Sequence, residues 1–255
     1  MASFHTFALF SAEPLQEQHQ GSDLILNDKA LVYRISRILR LKVGEHIILF
    51  DGKRQQTLIV VALEPQRVVC KIVDDALTTC LKPEIHWLVP LLEKDAMERV
   101  VYDLSACGIT SWTPIVAEKS HRNYITPKEL ERLKRIGVAA CEQAKQFCLP
   151  VMNTVSTFSE ISGIISRVYA DKGLDAFSGL FFDPDGRSSY DVMTTLREKK
   201  VETIFCMMGP EGDLTTAEKK ILMQLNFEFC ALVPTILRAE DACSLASGML
   251  RSFLK

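Results

Sequence analysis

The segment Met208-Gly209-Pro210-Glu211-Gly212-Asp213 separates the apolar run ETIFCMM from a stretch opening with Thr215 and Glu218. The T-x-x-E spacing signals a helix start, with the threonine capping a backbone N–H three residues on and the glutamate reaching back. A glycine turn between a buried strand and a helix lets the backbone approach a ligand closely. The carboxyl end of a parallel strand is also where open α/β sheets bind ligands. The segment is neither a Walker loop, since no Gly-Lys-Ser/Thr follows, nor G-x-G-x-x-G. A tight turn that binds nothing is equally compatible with these residues. A second cluster, LVPTILRAEDA over 232–242, runs from an apolar strand through Pro234 to Arg238, Glu240 and Asp241. These three charges suit the wall of a site, and the two acids equally suit the positive end of a helix dipole.

A third cluster is electrostatic. Between Lys29 and Arg54 stand seven basic residues (Lys29, Arg34, Arg37, Arg40, Lys42, Lys53, Arg54) against two acidic ones, Glu45 and Asp51, a local charge of +5. The whole chain carries −2. A concentrated basic patch in a near-neutral chain points to a specific anionic partner. Lys119, His121 and Arg122 form a weaker basic group. The five histidines have no metal-ligand spacing, and no cysteine pair is spaced C-x-x-C, so no metal is expected. Several of the eight cysteines lie in apolar runs, as Cys206 does in VETIFCMM, which favours buried free thiols in a reducing cytoplasm over disulfides. No run of 18 apolar residues is present, and the N-terminus lacks the basic region of a signal peptide.

Two kinds of element must carry these clusters. Over the first 75 or so residues, HTFALF, HIILF, QTLIVVAL and RVVCKIV read as strands, with a turn at Asp51-Gly52. One helix interrupts them. Asn27-Asp28 is its capping region, Leu31, Val32, Ile35, Ile38 and Leu39 form its apolar stripe, and Val43-Gly44 is its expected end. Arg34, Arg37 and Arg40 lie off that stripe. Beyond DDALTTCLKP the pattern becomes an alternation of strands and helices, from EIHWLVPLL to a final helix DACSLASGMLRSFL. A long helix opens at Pro127. Such alternation predicts a mostly parallel sheet with helices on both faces.

GPEGD followed by LVPTILRAEDA resembles the paired signature of the SPOUT superfamily. Within it, the chain resembles the ribosomal RNA small subunit methyltransferase E family, whose pattern is roughly G-P-E-G-G, then L-G-x-R-I-L-R-x-E-T-A. The resemblance covers nearly the whole chain. ISRILRLKVGEHIILFDG is similar to the family's PUA-like N-terminal domain, KDAMERVVYDLSACGITSWTPIVAEKS to its first knotted-domain unit, and ACEQAKQFCLPVM to its A-x-E-Q-S-x-R-x-x-x-P element. Glu142, Gln143, Glu211, Arg238 and Glu240 match the pattern. Asp213 replaces a glycine, Val233 and Thr235 replace the glycine and arginine of L-G-x-R, and Gln146 replaces another arginine.

The resemblance implies an α/β fold: a C-terminal SPOUT trefoil-knot domain with a mostly parallel sheet over 78–255, preceded by a small PUA-like β-barrel domain over 1–77. It implies S-adenosylmethionine-dependent methylation of uridine N3 in 16S rRNA of the small ribosomal subunit, by a cytoplasmic homodimer. Three loops would hold the cofactor: Phe182 in the first; Met208, Gly209, Pro210, Glu211 and Gly212 in the second; and Ala231, Leu232, Val233, Ile236 and Leu237 in the third. Arg238 would stabilise charge developing on the uracil, with Glu240 as orienter or base. Arg34, Arg37, Arg40 and Lys42, with Lys119 and Arg122, would contact RNA. Three other readings stay open: an RNA-binding assembly factor with a decayed transferase domain, a methyltransferase acting on another RNA, and a nucleotide-dependent metabolic enzyme.

Overall fold

Alternating apolar residues build one sheet and continuous apolar runs a second. The computed structural model describes residues 6–170 and 177–254. In the first sheet, β1 (Phe7–Phe10), β2 (Asp23–Leu26), β3 (His46–Phe50), β4 (Arg54–Leu63) and β5 (Val68–Leu77) lie in the order β1-β3-β4-β5-β2. β1 and β3 are parallel and the other pairs antiparallel. The Asp51-Gly52 turn is fixed by Asp51, whose carboxylate accepts from Lys53 N and Arg54 N at 2.7 Å. Leu9, Ile47, Leu49, Leu58 and Ile72 fill the core with Ile35 of the helical segment.

That segment begins as α1 (Lys29–Tyr33), capped by Asp28, whose side chain accepts from Leu31 N at 2.7 Å. It continues as a π turn over Arg34–Ile38, in which Leu39 N donates to Arg34 O at 2.8 Å. It ends before the expected Val43-Gly44. Arg40 takes the left-handed conformation at φ +52°, and Leu41 N reaches back to Ile35 O at 3.0 Å. That reach-back around a left-handed residue ends the helix without a glycine.

The second sheet comprises β6 (Glu84–Pro90), β7 (Ser111–Val116), β8 (Val151–Met152), β10 (Ser178–Ser188), β11 (Thr203–Met208) and β12 (Phe227–Ala231) in the order β12-β10-β11-β6-β7-β8, with β9 (Ser156–Thr157) also on β7. Every pairing in it is parallel. Helices α2 (Lys94–Ala106), α3 (Pro127–Ala144), α4 (Ile161–Tyr169), α5 (Ser189–Glu198), α6 (Thr216–Gln224) and α7 (Ala239–Phe253) alternate with these strands. Ile204, Cys206 and Met208 of β11 pack into one core with α2, α5 and α7, while Phe205 and Met207 pack into another with α4 and α6. Burial on both faces is why these strands read as continuous apolar runs.

The chain divides into two compact units. One extends to Cys80 and also takes in Cys141–Cys148; the other comprises Leu81–Ala140 and the residues from Leu149 on. A boundary drawn at 77/78 leaves Cys141–Cys148 with the second unit. The expectation of free thiols fails at one pair: Cys80 and Cys148 are joined by a disulfide across 68 positions of sequence. Grouping 141–148 with the first unit brings their Cα atoms to 5.5 Å, within disulfide reach, and nothing in their sequence spacing announces it. The other six cysteines are free, and all but Cys107 are buried.

Candidate functional site

At the carboxyl edge of the parallel sheet, in the second unit, three loops meet around a cavity of ≈ 780 Å³. Phe182 and Pro184 enter from β10, Met208, Gly209, Pro210, Glu211 and Asp213 from β11, and Ile236, Leu237 and Arg238 from the segment after β12. The first turn of α7 adds Ala239, Glu240 and Ala242. Seven of the eleven residues expected to hold a cofactor therefore line this one cavity: Phe182, Met208, Gly209, Pro210, Glu211, Ile236 and Leu237. Leu232 and Val233 line a smaller adjoining recess with Thr235 and Leu237. Ala231 and Gly212 are in neither lining.

Gly212 has another role. A Cβ built there would stand 3.2 Å from Lys119 Cβ, so its bareness lets the second loop pack on the Lys119 segment. Gly209 is tighter, since a Cβ would fall 2.8 Å from Asp213 Oδ1 and 3.2 Å from Asp213 Cα. Beyond the turn, α6 begins with the expected capping box. Thr215 accepts from Glu218 N at 3.3 Å, and Glu218 accepts from Thr215 N at 2.8 Å. The buried Glu218 also accepts from Glu118 N at 2.8 Å, tying the β7 loop to the same helix start.

The first and second loops are joined by Lys219, whose Nζ lies 2.6 Å from Asp183 Oδ2 and 2.7 Å from Asp213 Oδ2. Burial works against its charge, but the bonds to Asp183 and Asp213 outweigh it and raise the ammonium above its ordinary pKa. Nothing in the residue pattern marks this cross-link, because Lys219 stands within an ordinary amphipathic helix.

Arg238 occupies the N-cap position of α7 with its side chain 84% exposed, and its Nη1 lies 4.0 Å from Glu240 Oε1. At that distance the pair is a loose ion contact, so the guanidinium stays free to meet a ligand. Asp241 turns away from the cavity to Arg99 at 2.9 Å. Glu93, Asp95 and Ala96, at the start of α2, form a wall that sequence reading missed. The usable signal was positional: this helix, like the other three segments, lies at the carboxyl end of a parallel strand. Cys230 borders the smaller recess, but burial first, then Glu228, pushes its thiol up to about 12. It is a neutral thiol at pH 7 and a poor nucleophile.

The expected RNA-contact residues are distributed unevenly. Arg37, Arg40 and Lys42 are exposed. Arg34 instead makes a bidentate pair with Glu142, at 2.8 and 2.6 Å, and Glu142 also accepts from Phe10 N at 2.8 Å. Arg122 is likewise engaged. It donates to Leu92 O at 3.0 Å and to both Glu129 oxygens at 2.8 and 2.6 Å. Lys119 is exposed beside Gly212.

A doubly covered parallel sheet with its cavity at the carboxyl edge defines an α/β protein that binds a small ligand at loops after its strands. Residues 80–251 match the RNA methyltransferase domain family, and the chain belongs to that family. It is 26% identical over 242 residues to ribosomal RNA small subunit methyltransferase E of Aquifex aeolicus, covering 93% of this chain and 97% of that protein. Its fold is similar to the solved structure of ribosomal RNA small subunit methyltransferase E from Neisseria gonorrhoeae bound to S-adenosyl methionine. That match has 23% identity and a TM-score of 0.77, over 97% of this chain and 98% of the other. A Legionella pneumophila structure holding the cofactor SAM gives 20% identity and a TM-score of 0.76, over 97% and 98%.

Proposed function

We propose that this protein transfers a methyl group from S-adenosylmethionine to N3 of one uridine in 16S rRNA. The observation that carries the proposal is the convergence of the irregular stretch of β10 after Phe182 and the loops after β11 and β12 on one cavity, bounded by the exposed guanidinium of Arg238. The lining fits the cofactor. Phe182, Met208, Ile236 and Leu237 suit a neutral adenine, and Glu93, Asp95, Glu211 and Glu240 suit a molecule with a sulfonium and an ammonium charge. Bound there, S-adenosylmethionine supplies an electrophilic methyl. The loop backbone and apolar side chains orient the ligand and exclude water.

Uridine N3 lies on the Watson–Crick edge and carries a proton, so the target base must be unpaired. As that proton leaves, charge spreads to O2 and O4, where Arg238 stabilises it; Glu240 orients the arginine or takes the proton. Gly212 and Ala231 support the cofactor loops from outside the cavity, while Leu232 and Val233 back the third loop. Arg37, Arg40, Lys42 and Lys119 are the cations available to RNA phosphates. Arg34, paired with Glu142, and Arg122, paired with Glu129, act as positioning residues.

The strand order β12-β10-β11-β6-β7 supports reading the second unit as a SPOUT trefoil knot, and the five-stranded first sheet supports a PUA-like reading. Ile236, an apolar side chain 86% exposed on the cavity rim, favours a homodimer in which a second copy covers it. A decayed transferase domain is disfavoured by Asp213, whose departure from glycine is compensated by Lys219. Mass spectrometry of nucleosides from small-subunit rRNA, in cells with and without this gene, tests the proposal. One 3-methyluridine should disappear with the gene, and an unchanged nucleoside profile would refute it.

A further inference from the structure

Tyr33, Ile38 and Val43 are the exposed large apolar side chains of the basic segment, and the first two lie within its helical stretch. Tyr33 is 58% exposed and Ile38 60%, although both belong to a short helical stretch whose other apolar members, Leu31, Val32 and Ile35, are buried. The π turn explains how they come together. In α-helical geometry residue i+5 is turned about 100° away from i+4. The i to i+5 bond from Leu39 N to Arg34 O widens the turn, so that Arg37 and Ile38, four and five residues after Tyr33, share its face. Ile35 points the other way, fully buried. Such turns recur at functional positions in helices.

The stretch itself carries only positive charge. No acidic residue occurs between Lys29 and Gly44. Glu45, just beyond, accepts from Lys42 N at 2.8 Å. Arg37, Arg40 and Lys42 make no ion pair among the described residues, whereas Arg34 is committed to Glu142. An exposed aromatic ring in a segment that carries exposed, unpaired cations is complementary to a polyanion that presents flat apolar faces. In a duplex those faces are stacked away, so the match is to unpaired RNA.

We propose that Tyr33, with Ile38 beside it, is a stacking platform for one unpaired base, and that Arg37, Arg40 and Lys42 hold the flanking phosphates. The inference rests on the RNA methyltransferase reading and goes beyond it by specifying a single-stranded or bulged segment as the partner of the first unit.

The test is fluorescence anisotropy of the full-length protein with a short labelled single-stranded oligoribonucleotide and with a duplex of equal length, over a range of salt. Tyr33→Ala should weaken single-strand binding roughly tenfold or more, the scale of one base–aromatic stack. It should leave duplex binding and the salt slope unchanged, and Tyr33→Trp should restore single-strand affinity. Arg37→Ala should weaken both RNAs and make the salt dependence shallower. Single-strand affinity within twofold of wild type in Tyr33→Ala, or equal losses on both RNAs, would overturn the platform. So would loss of self-association in Tyr33→Ala with RNA affinity intact, which would assign the face to a second copy of the chain. Methyl transfer is read separately. Tyr33-dependent RNA binding without methyl transfer would remove the enzymatic reading and leave the platform standing.

Discussion

The Asp213 carboxylate meets the Lys219 ammonium at 2.7 Å from a backbone held at φ +59°. A non-glycine residue in that conformation costs roughly 1–2 kcal/mol. Asp213 offsets the cost locally, since its side chain also accepts from Leu214 N at 2.7 Å. Asp213→Gly should therefore change stability by less than about 1 kcal/mol, with strain relief and lost contacts nearly cancelling. Lys219→Met should cost about 2–3 kcal/mol, because Asp183, 5% exposed, loses its cation. The loss falls short of a fully buried pair because Lys219 keeps 24% exposure. Urea unfolding of the two variants checks both values.

Arg122 should behave as a positioning residue. It joins the start of α3, through Glu129, to Leu92, one residue before the Glu93 wall of the cavity. Arg122→Ala should weaken S-adenosylhomocysteine binding several-fold in calorimetry, yet leave the salt slope of RNA binding as in wild type. A reduced slope would return Arg122 to the RNA interface.

The first unit should lose stability in acid through Asp75. Burial pushes this carboxyl up, but hydrogen bonds from Gln56, Arg54 and Gln18 N outweigh it and hold the group below its ordinary 3.8. A depressed folded-state pKa contributes stability that is present above pH 3.8 and is lost as pH falls through the lower, folded value. Asp75→Asn should be less stable at neutral pH and show a flatter acid limb. Melting temperature measured across the acid range reads both effects.

Much of the second unit was legible because its strands, buried on both faces, are plain apolar runs and because T-x-x-E marks a helix start without ambiguity. The strand order could not be read that way, since parallel pairing leaves no mark in the residues themselves. At the site, glycine and charge clusters led to two of the cavity walls. The Glu93 wall was missed because Glu-Lys-Asp before a helix looks like ordinary dipole complementation. Arg34 and Arg122 look like free cations in the sequence because their partners, Glu142 and Glu129, lie 108 and seven positions away and no rule of spacing pairs them. The left-handed Arg40 shortened α1's helical segment against its glycine signal.

Ile236 should report on assembly. Ile236→Asp places a charge on the most exposed apolar side chain of the cavity rim, so light scattering at micromolar concentration should move from dimer toward monomer. A wild-type protein that is monomeric under the same conditions would contradict the dimer.

The most direct test is single-turnover transfer of a labelled methyl from S-adenosylmethionine to 16S rRNA, with both at saturation and the labelled nucleoside identified by mass spectrometry. Wild-type protein should deposit the methyl on N3 of a uridine. Arg238→Ala should slow that step by about 10²–10³ while binding both substrates normally, because the guanidinium acts on charge that exists only in the transition state. Binding of S-adenosylmethionine and RNA by the wild-type protein with no methyl transferred, or transfer to an atom other than uridine N3, would contradict the account.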